Sequence, residues 1–136
     1  MADGEGGNGN VLVVEDDSAL NQLVGAYVEL AGFDYRPALD GESALRAAGE
    51  RLPSMVILDL MLPDIDGFEV CRRLKSAAQT SGVPVLMLTA LAQDESRRRG
   101  LACGAAAYMT KPFDPDELIR AIHGIVKDGT NPRPAL

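Results

Sequence analysis

The sequence contains few of the residues that bind transition metals or form covalent cross-links. Among its 136 residues there are two cysteines, Cys71 and Cys103, and one histidine, His123. The cysteines do not form a CxxC pair, so neither a zinc site nor a disulfide framework is expected. Both cysteines lie beside apolar residues in helix-like patterns, which predicts reduced thiols that pack as small hydrophobic side chains.

Positive charge, aromatic residues and long apolar runs are also scarce. There are 13 Lys and Arg against 20 Asp and Glu, the net charge is −7, and aromatic residues make up 4% of the chain. Because nucleic-acid-binding surfaces need a basic stripe, direct nucleic-acid binding is not expected. No apolar run approaches the length that spans a bilayer. The start, MADGEGGNGN, lacks the basic residues and apolar stretch of a signal peptide, so we expect a cytoplasmic protein without membrane contact.

The sequence does contain a regular alternation of short apolar runs and helix-like patterns. The apolar runs cover residues 11–14, 33–38, 55–58, 83–88 and 106–109. The first, third and fourth are almost continuously apolar, which is typical of strands that are covered on both faces. One domain is predicted over residues 10–127, with a flexible Gly-rich tail at 1–9 and a tail or linker at 128–136.

Helical periodicity separates the apolar runs. The first helical stripe consists of Leu20, Leu23, Val24, Tyr27 and Leu30. A fourth helix is predicted near residues 93–103 with Gly104 as its stop, and a fifth has Pro115 in its first turn. Strands that alternate with helices predict a parallel α/β sheet with right-handed crossovers. We expect the doubly wound, flavodoxin-like (βα)5 fold with strand order 2-1-3-4-5.

Polar residues lie within a few residues of the ends of four predicted strands. They are Glu15, Asp16 and Asp17 after the first strand, Asp59 after the third, Thr89 after the fourth and Lys111 after the fifth. In open α/β sheets, ligands bind outside the carboxyl ends of the strands, so these side chains are expected to converge. Asp17 could belong to the acid pair in place of Glu15. We favour Glu15 and Asp16, and we expect Asp17 or Ser18 to be a helix N-cap.

The types of residue in this predicted cluster favour phosphoryl chemistry. Carboxylates that share one cleft repel each other, and a hard cation such as Mg²⁺ relieves this repulsion. The hydroxyl of Thr89 and the ammonium of Lys111 are suitable partners for phosphoryl oxygens. Asp59 ends a buried apolar run, and a carboxylate held by Mg²⁺ and a lysine can act as a nucleophile on phosphorus. We therefore interpret Asp59 as a phosphoryl acceptor.

Four motifs together resemble the receiver domain of two-component response regulators. They are VLVVEDD, ILDLMLPDIDG, VLMLTA and YMTKPF, which occur in this order between Asn10 and Val126. The resemblance implies that Asp59 is the phosphorylation site and that Glu15 and Asp16 are the acid pair that binds Mg²⁺. It also implies that the backbone carbonyl of Met61 is the third protein ligand of the metal.

The resemblance assigns four further roles and a function. Thr89 is expected to contact the phosphoryl group, Lys111 to be its salt-bridge partner, Tyr108 to change rotamer when Thr89 moves, and Pro112 to follow a cis peptide bond. The implied function is a signalling switch, phosphorylated by a histidine kinase or a histidine phosphotransfer protein. It would signal to a downstream protein through the face of the fourth helix, fifth strand and fifth helix. Phosphorylation-dependent dimerisation is a possible consequence, and no chemistry beyond self-phosphorylation and self-dephosphorylation is expected.

Other functions fit the motifs less well. A phosphatase of the haloacid-dehalogenase type is the main alternative, but it needs an acid two residues after the nucleophile, where this sequence has Met61. A flavodoxin-like flavin binder needs a phosphate loop rich in Ser, Thr and Gly, whereas EDDSA is acidic. A receiver that acts only through protein contacts is disfavoured because no site residue is missing.

Several charged residues are interpreted as structural. Asp64 and Asp66 lie in a loop with Pro and Gly and are expected to form turns. The run from Arg97 to Arg99 is expected to form a solvated helix face, and His123 is expected to have a surface role.

Overall fold

Five strands and five helices alternate along the chain in this computed structural model, which describes residues 9–130 and, within them, side chains as far as residue 126. The elements are β1 (Asn10–Val14), α1 (Ser18–Leu30), β2 (Asp34–Ala38), α2 (Gly41–Glu50), β3 (Met55–Leu58), α3 (Gly67–Ser76), β4 (Val85–Thr89), α4 (Asp94–Ala102), β5 (Ala107–Thr110) and α5 (Pro115–Thr130). The predicted (βα)5 order is therefore confirmed.

The strands form one parallel sheet in the order β2-β1-β3-β4-β5, as predicted. The last residues of neighbouring strands are in register, with Val14 beside Leu58 and Thr89 beside Thr110. Because all strands run the same way, the residues that follow them emerge at one edge of the sheet.

Three predicted strand starts were too early, at residues 33, 83 and 106, and backbone hydrogen bonds explain the first two. The amide of Val83 donates to the carbonyl of Thr80, which closes the turn after α3, and Pro84 has no amide to donate. The amide of Phe33 donates to Val28 at the end of α1. Strand pairing therefore begins at Val85 in β4 and at Asp34 in β2.

The core consists of two layers, one on each face of the sheet. One layer includes Leu12 and Val14 and packs under α2 and α3. The other includes Val11 and Val13 and packs under α1 and α5. Alternate side chains of a strand point to opposite faces, and both faces are covered, so the strands β1, β3 and β4 are buried throughout. The continuously apolar runs in the sequence have this cause.

The buried face of α1 differs from the predicted stripe. The buried residues are Asn21, Val24, Gly25 and Val28. By contrast, Leu23 is 46% exposed and Leu30 is 73% exposed. The helix is therefore rotated relative to the hydropathy pattern, so that a polar residue and a glycine face the sheet. The N-cap is Asp17, whose carboxylate accepts a hydrogen bond from the amide of Leu20 at 3.1 Å.

The helix α4 packs on the sheet through very little apolar surface. Gly100 is its one buried residue, and a Cβ at that position would lie 2.6 Å from Sδ of Met87. The guanidinium groups of Arg97 and Arg99 lie over aromatic rings of Tyr108 and Phe68, at 5.0 and 3.9 Å from the ring centroids. All three arginines of the run are exposed, so the predicted solvated face is confirmed, and two of them also contact aromatic rings at the surface. The helix ends at the predicted stop, where Gly104 has a φ of 104°.

The loop between β3 and α3 caps two helices with its acids. Asp66 is the N-cap of α3 and accepts from the amide of Glu69 at 2.9 Å. Asp64 reaches across to α2, where its two carboxylate oxygens accept from the amides of Gly41 and Glu42, both at 2.8 Å. These hydrogen bonds, first from Gly41 and then from Glu42, lower the pKa of Asp64 to about 2. Both acids are structural, as the sequence predicted.

Replacing Asp64 with alanine is expected to lower the melting temperature by about 3 °C, because two amides of the first turn of α2 lose their acceptor. Asp64→Asn keeps one acceptor oxygen and should give an intermediate value. The stability that the ionised Asp64 adds to the fold is fully present above the ordinary pKa of an aspartate. It is lost as the pH falls towards 2. Thermal scans at pH 7 and pH 2.5 would check both points, and equal melting temperatures at pH 7 would contradict the capping role.

The last helix extends beyond residue 127, the predicted end of the domain. The helix α5 continues through residues 128–130, where the sequence analysis places the start of a tail, and residues 1–8 and 131–136 lie outside the described part. Within residues 9–130, no helix has the length and apolar character that crossing a bilayer requires. Cys71 and Cys103 are both free thiols, as predicted.

Candidate functional site

Three acids and one lysine from different strand ends meet at the carboxyl edge of the sheet. Carboxylate oxygens of Glu15, Asp16 and Asp59 all lie within 4.8 Å of one another. The ammonium nitrogen of Lys111 lies 2.9 Å from Oδ2 of Asp59 and 2.5 Å from Oε1 of Glu15. The parallel sheet therefore brings these four predicted residues together.

Asp59 is held in place by its backbone and by both of its carboxylate oxygens. Its amide donates to the carbonyl of Val14 at 3.0 Å, which extends the pairing between β1 and β3. Its Oδ1 accepts from the amide of Met61 at 3.2 Å, and its Oδ2 accepts from Lys111. The side chain is only 7% exposed. Burial would raise the pKa of Asp59, but the lysine and the Met61 amide outweigh burial and lower it, so the carboxylate is ionised at neutral pH.

Glu15 shares the lysine but has the opposite pKa shift. Its Oε2 accepts from the amide of Asp17 at 3.0 Å, and its Oε1 contacts Lys111. Burial, together with the charge of Asp59, raises the pKa of Glu15 despite the lowering effects of Lys111 and the Asp17 amide. For Lys111 itself, burial lowers the pKa, yet the hydrogen bonds that it donates to Glu15 and Asp59 more than offset burial, and the net shift of the pKa is upward. The lysine is therefore charged.

The cluster has the donor chemistry that a hard divalent cation requires. Three carboxylates face one ammonium group, so negative charge is in excess at this edge of the sheet. Oxygen donors of this kind suit Mg²⁺. Asp16 is exposed, which leaves an approach from solvent, and Met61 is also 56% exposed. The residues present thus fit a magnesium ion.

Thr89 and Tyr108 meet at the backbone of Leu91, in the loop that leads to α4. Thr89 is fully buried at the end of β4, and its hydroxyl oxygen accepts from the Leu91 amide at 3.3 Å. The hydroxyl of Tyr108 donates to the Leu91 carbonyl at 2.7 Å. Burial raises the pKa of Tyr108, so this hydroxyl keeps its proton and remains a donor. One residue therefore links the threonine and the tyrosine that the sequence singled out.

The end of β5 is tied to the end of β4. The amide of Lys111 donates to the carbonyl of Thr89 at 2.8 Å. The peptide bond between Lys111 and Pro112 is cis, as the sequence resemblance implied.

Sequence reasoning missed two residues beside the acids, Asn21 and Tyr35. Asn21, in the buried part of α1, donates to the backbone carbonyl of Glu15, and Tyr35, near the start of β2, donates to the side chain of Asn21. Neither belongs to a recognisable motif, and hydropathy places Asn21 on the solvent face. Their arrangement depends on tertiary contacts that no local pattern reports.

Comparison with known proteins agrees with this architecture. A family model for the response regulator receiver domain matches residues 11–123. The chain is 41% identical over 117 residues to the DNA-binding dual master transcriptional regulator RpaA of Synechocystis sp., covering 86% of this chain and 48% of RpaA. It is also 41% identical to the phosphate regulon transcriptional regulatory protein PhoB of Rhizobium meliloti, covering 86% and 52%. The chain thus spans about half the length of the curated relatives that it matches.

Solved structures of similar shape lead to the same family. The receiver domain of the Francisella response regulator 1452 matches with a TM-score of 0.82 and 34% identity, over 88% of this chain and 98% of that one. The chemotaxis protein CheY4 of Vibrio cholerae matches with a TM-score of 0.82 and 30% identity, over 88% and 99%. With a family match over most of its length and a site assembled at the strand ends, the chain belongs to the response regulator receiver domain family.

Proposed function

We propose that this domain is the phospho-acceptor switch of a two-component system. A histidine kinase or a histidine phosphotransfer protein would donate a phosphoryl group to Asp59. The observation that carries the proposal is the environment of this carboxylate, which is almost fully buried, ionised and in contact with Lys111. A buried charge of this kind needs compensation, and the same compensation suits a phosphorylated aspartate.

The proposed transfer is a displacement at phosphorus. An oxygen of the Asp59 carboxylate forms the new P–O bond, the P–N bond of the phosphohistidine breaks, and the departing imidazole takes up a proton. Mg²⁺, bound by Glu15, Asp16, Asp59 and the backbone carbonyl of Met61, would supply positive charge opposite the phosphoryl oxygens. Lys111 already contacts Asp59, so it can neutralise the acyl phosphate without a large movement. The hydroxyl of Thr89 would donate to a phosphoryl oxygen.

The phosphatase alternative receives no support from the site. A phosphatase with an aspartyl nucleophile needs a second acid that transfers a proton to the leaving group. The residue two positions after Asp59 is Met61, whose side chain cannot transfer a proton. We therefore propose no catalytic activity beyond phosphorylation and dephosphorylation of the domain itself.

The proposal is tested by incubating the chain with acetyl phosphate, a small phosphoryl donor, and measuring its intact mass. One phosphoryl adduct is expected in the presence of Mg²⁺. None is expected when EDTA removes the metal, because the charge on the transferring group is then uncompensated. An adduct that forms equally well in EDTA would contradict the proposed role of the acids.

We also propose that the α4-β5-α5 face transmits the phosphorylated state to a downstream protein. The contact at Leu91 supports this proposal, because a movement of Thr89 towards the phosphoryl group would disturb the loop that holds the Tyr108 hydroxyl. The named relatives are transcriptional regulators about twice as long as the matched region, so we propose that any nucleic-acid contact lies outside residues 9–130. A cytoplasmic location and phosphorylation-dependent dimerisation belong to the same proposal.

Binding of beryllofluoride, a mimic of the phosphoryl group, should change the amide NMR shifts of α4 and β5 as well as those of the acidic loops. We expect these changes because Thr89 and Tyr108 both form hydrogen bonds with the backbone of Leu91, so a movement of one affects the other. Tyr108→Phe keeps the ring but removes the donor to Leu91, so it should weaken the changes in α4. Shifts confined to the acidic loops in the wild-type chain would contradict the coupling.

A further inference from the structure

We propose that Asn21, oriented by Tyr35, is a positioning residue for the acidic turn at Glu15 and Asp16. The pair would thereby set the affinity of the site for its divalent cation. This inference rests on the proposed magnesium site, and it adds residues that touch neither the metal nor the phosphoryl group.

The side-chain amide of Asn21 holds three backbone carbonyls around the acidic turn. Its Nδ2 donates to Val13 at 3.1 Å, to Glu15 at 3.0 Å and to Ala38 at 3.1 Å. The Ala38 carbonyl also accepts from the amide of Glu15 at 3.1 Å. One buried group therefore fixes the end of β1, the end of β2 and the backbone of the first acid. Asn21 is only 1% exposed, so water does not compete for these hydrogen bonds.

Tyr35 supplies the hydrogen-bond donor that the oxygen of the Asn21 amide needs in this orientation. All three carbonyls face the NH₂ group of Asn21, whose two hydrogens are shared among them, and Oδ1 of Asn21 remains as an acceptor. The hydroxyl of Tyr35 donates to that oxygen at 2.5 Å. Burial, with a smaller contribution from Glu29, raises the pKa of Tyr35, so the hydroxyl keeps the proton it donates. Without this donor, the buried oxygen of the amide would have no hydrogen-bond partner, and the observed orientation of Asn21 would be less stable.

Gly25 makes room for Tyr35. A Cβ at Gly25 would lie 2.5 Å from Cε2 and Cζ of the Tyr35 ring, closer than any real contact. The glycine therefore allows the ring to approach α1 closely and its hydroxyl to reach Asn21. These three residues explain why α1 buries a polar residue and a glycine in place of leucines.

The backbone of the acidic turn decides where both acids point. The carboxylate of Glu15 is tied to Lys111 and to the amide of Asp17, so a shift of the turn moves it relative to Asp59. Asp16 is exposed, and the direction of its side chain follows the backbone of the turn. Metal ligands must be held within about 0.5 Å of their working positions, so loosening the turn weakens binding. The geometry places Asn21 where it prevents that loosening.

Tyr35→Phe is the central test, because it removes one hydroxyl and keeps the ring. Isothermal titration calorimetry with MgCl₂ should show a dissociation constant raised on the order of 10-fold, as for other residues that orient metal ligands. Tyr27→Phe is the matched control. It makes the same chemical change in α1, where the ring packs on Phe113, and should leave the dissociation constant unchanged.

Gly25→Ala separates positioning from stability. Alanine has a higher helix propensity than glycine, so the substitution stabilises α1 itself. The new methyl group, however, displaces the Tyr35 ring. The dissociation constant for Mg²⁺ should again rise, and phosphorylation by acetyl phosphate should recover at saturating Mg²⁺. Gly124→Ala is the control, because a Cβ there meets no atom within 4 Å.

The outcomes distinguish this inference from the proposed function. If the wild-type chain does not bind Mg²⁺, the proposed metal site fails and this inference fails with it. If the wild-type chain and both variants bind Mg²⁺ equally, only the positioning role is overturned. Melting temperatures in EDTA complete the test, since a purely structural role would lower them without changing the dissociation constant.

Discussion

Asp59→Asn is expected to abolish phosphorylation of the domain, even with acetyl phosphate in excess and Mg²⁺ at saturation. An amide has no ionised oxygen to attack phosphorus, and no other acid of the cluster has the same environment. Glu15 has a raised pKa and uses both carboxylate oxygens in contacts, and Asp16 lies exposed on the rim. Intact mass spectrometry should show the unmodified mass only.

Asp66→Asn provides the matched control for this experiment. It makes the same carboxylate-to-amide change in the same loop, and asparagine is as good an N-cap as aspartate, so α3 should remain capped. The phosphoryl adduct should form as in the wild-type chain. An adduct that persists in Asp59→Asn would assign the acceptor to another residue and refute the proposed site.

Lys111→Met is expected to lower the free energy of unfolding by about 2–3 kcal/mol in EDTA, somewhat less than for fully buried pairs. The lysine is 19% exposed, but the carboxylates of Asp59 and Glu15 are each only 7% exposed. Without the ammonium, two nearly buried carboxylates face each other with no positive charge between them. Urea denaturation at neutral pH would measure the loss.

A second variant shows whether the loss is electrostatic. Lys111→Met/Glu15→Gln removes one of the two carboxylates that the lysine compensated, so part of the stability should return. Saturating Mg²⁺ should also restore stability to Lys111→Met, because bound cation replaces the missing charge. If the double variant is no more stable than the single one, the lysine acts through packing of its chain and not through its charge.

The convergence of the site could be predicted because it follows from the sheet alone. Asp59 and Lys111 are 52 residues apart in sequence, yet each directly follows a strand of one parallel sheet. The short, continuously apolar runs marked those strands, and the alternation with helices set their direction. Once the strand order was inferred, the position of each polar residue was determined by where its strand ended.

The contacts that hold the site could not be predicted in the same way. Asn21 and Gly25 look like residues of a solvent face, and only the Tyr35 ring and three carbonyls make their burial favourable. The capping of α2 by Asp64 joins residues that are 23 and 22 positions apart, and Leu91 acts through backbone atoms. Local periodicity contains no information about such contacts, because they depend on how separate elements meet.

The sparse burial of α4 has a consequence for how the domain opens. With Gly100 as its one buried residue, and with two arginine side chains lying over rings as surface contacts, α4 removes little apolar area from water. The free energy needed to detach it is therefore a small part of the global unfolding free energy, whereas β3 and β4 separate only when the whole core is lost. We therefore expect α4 to unfold locally at a lower free energy than the core, so that the proposed output surface can be remodelled while the sheet that holds Asp59 stays intact.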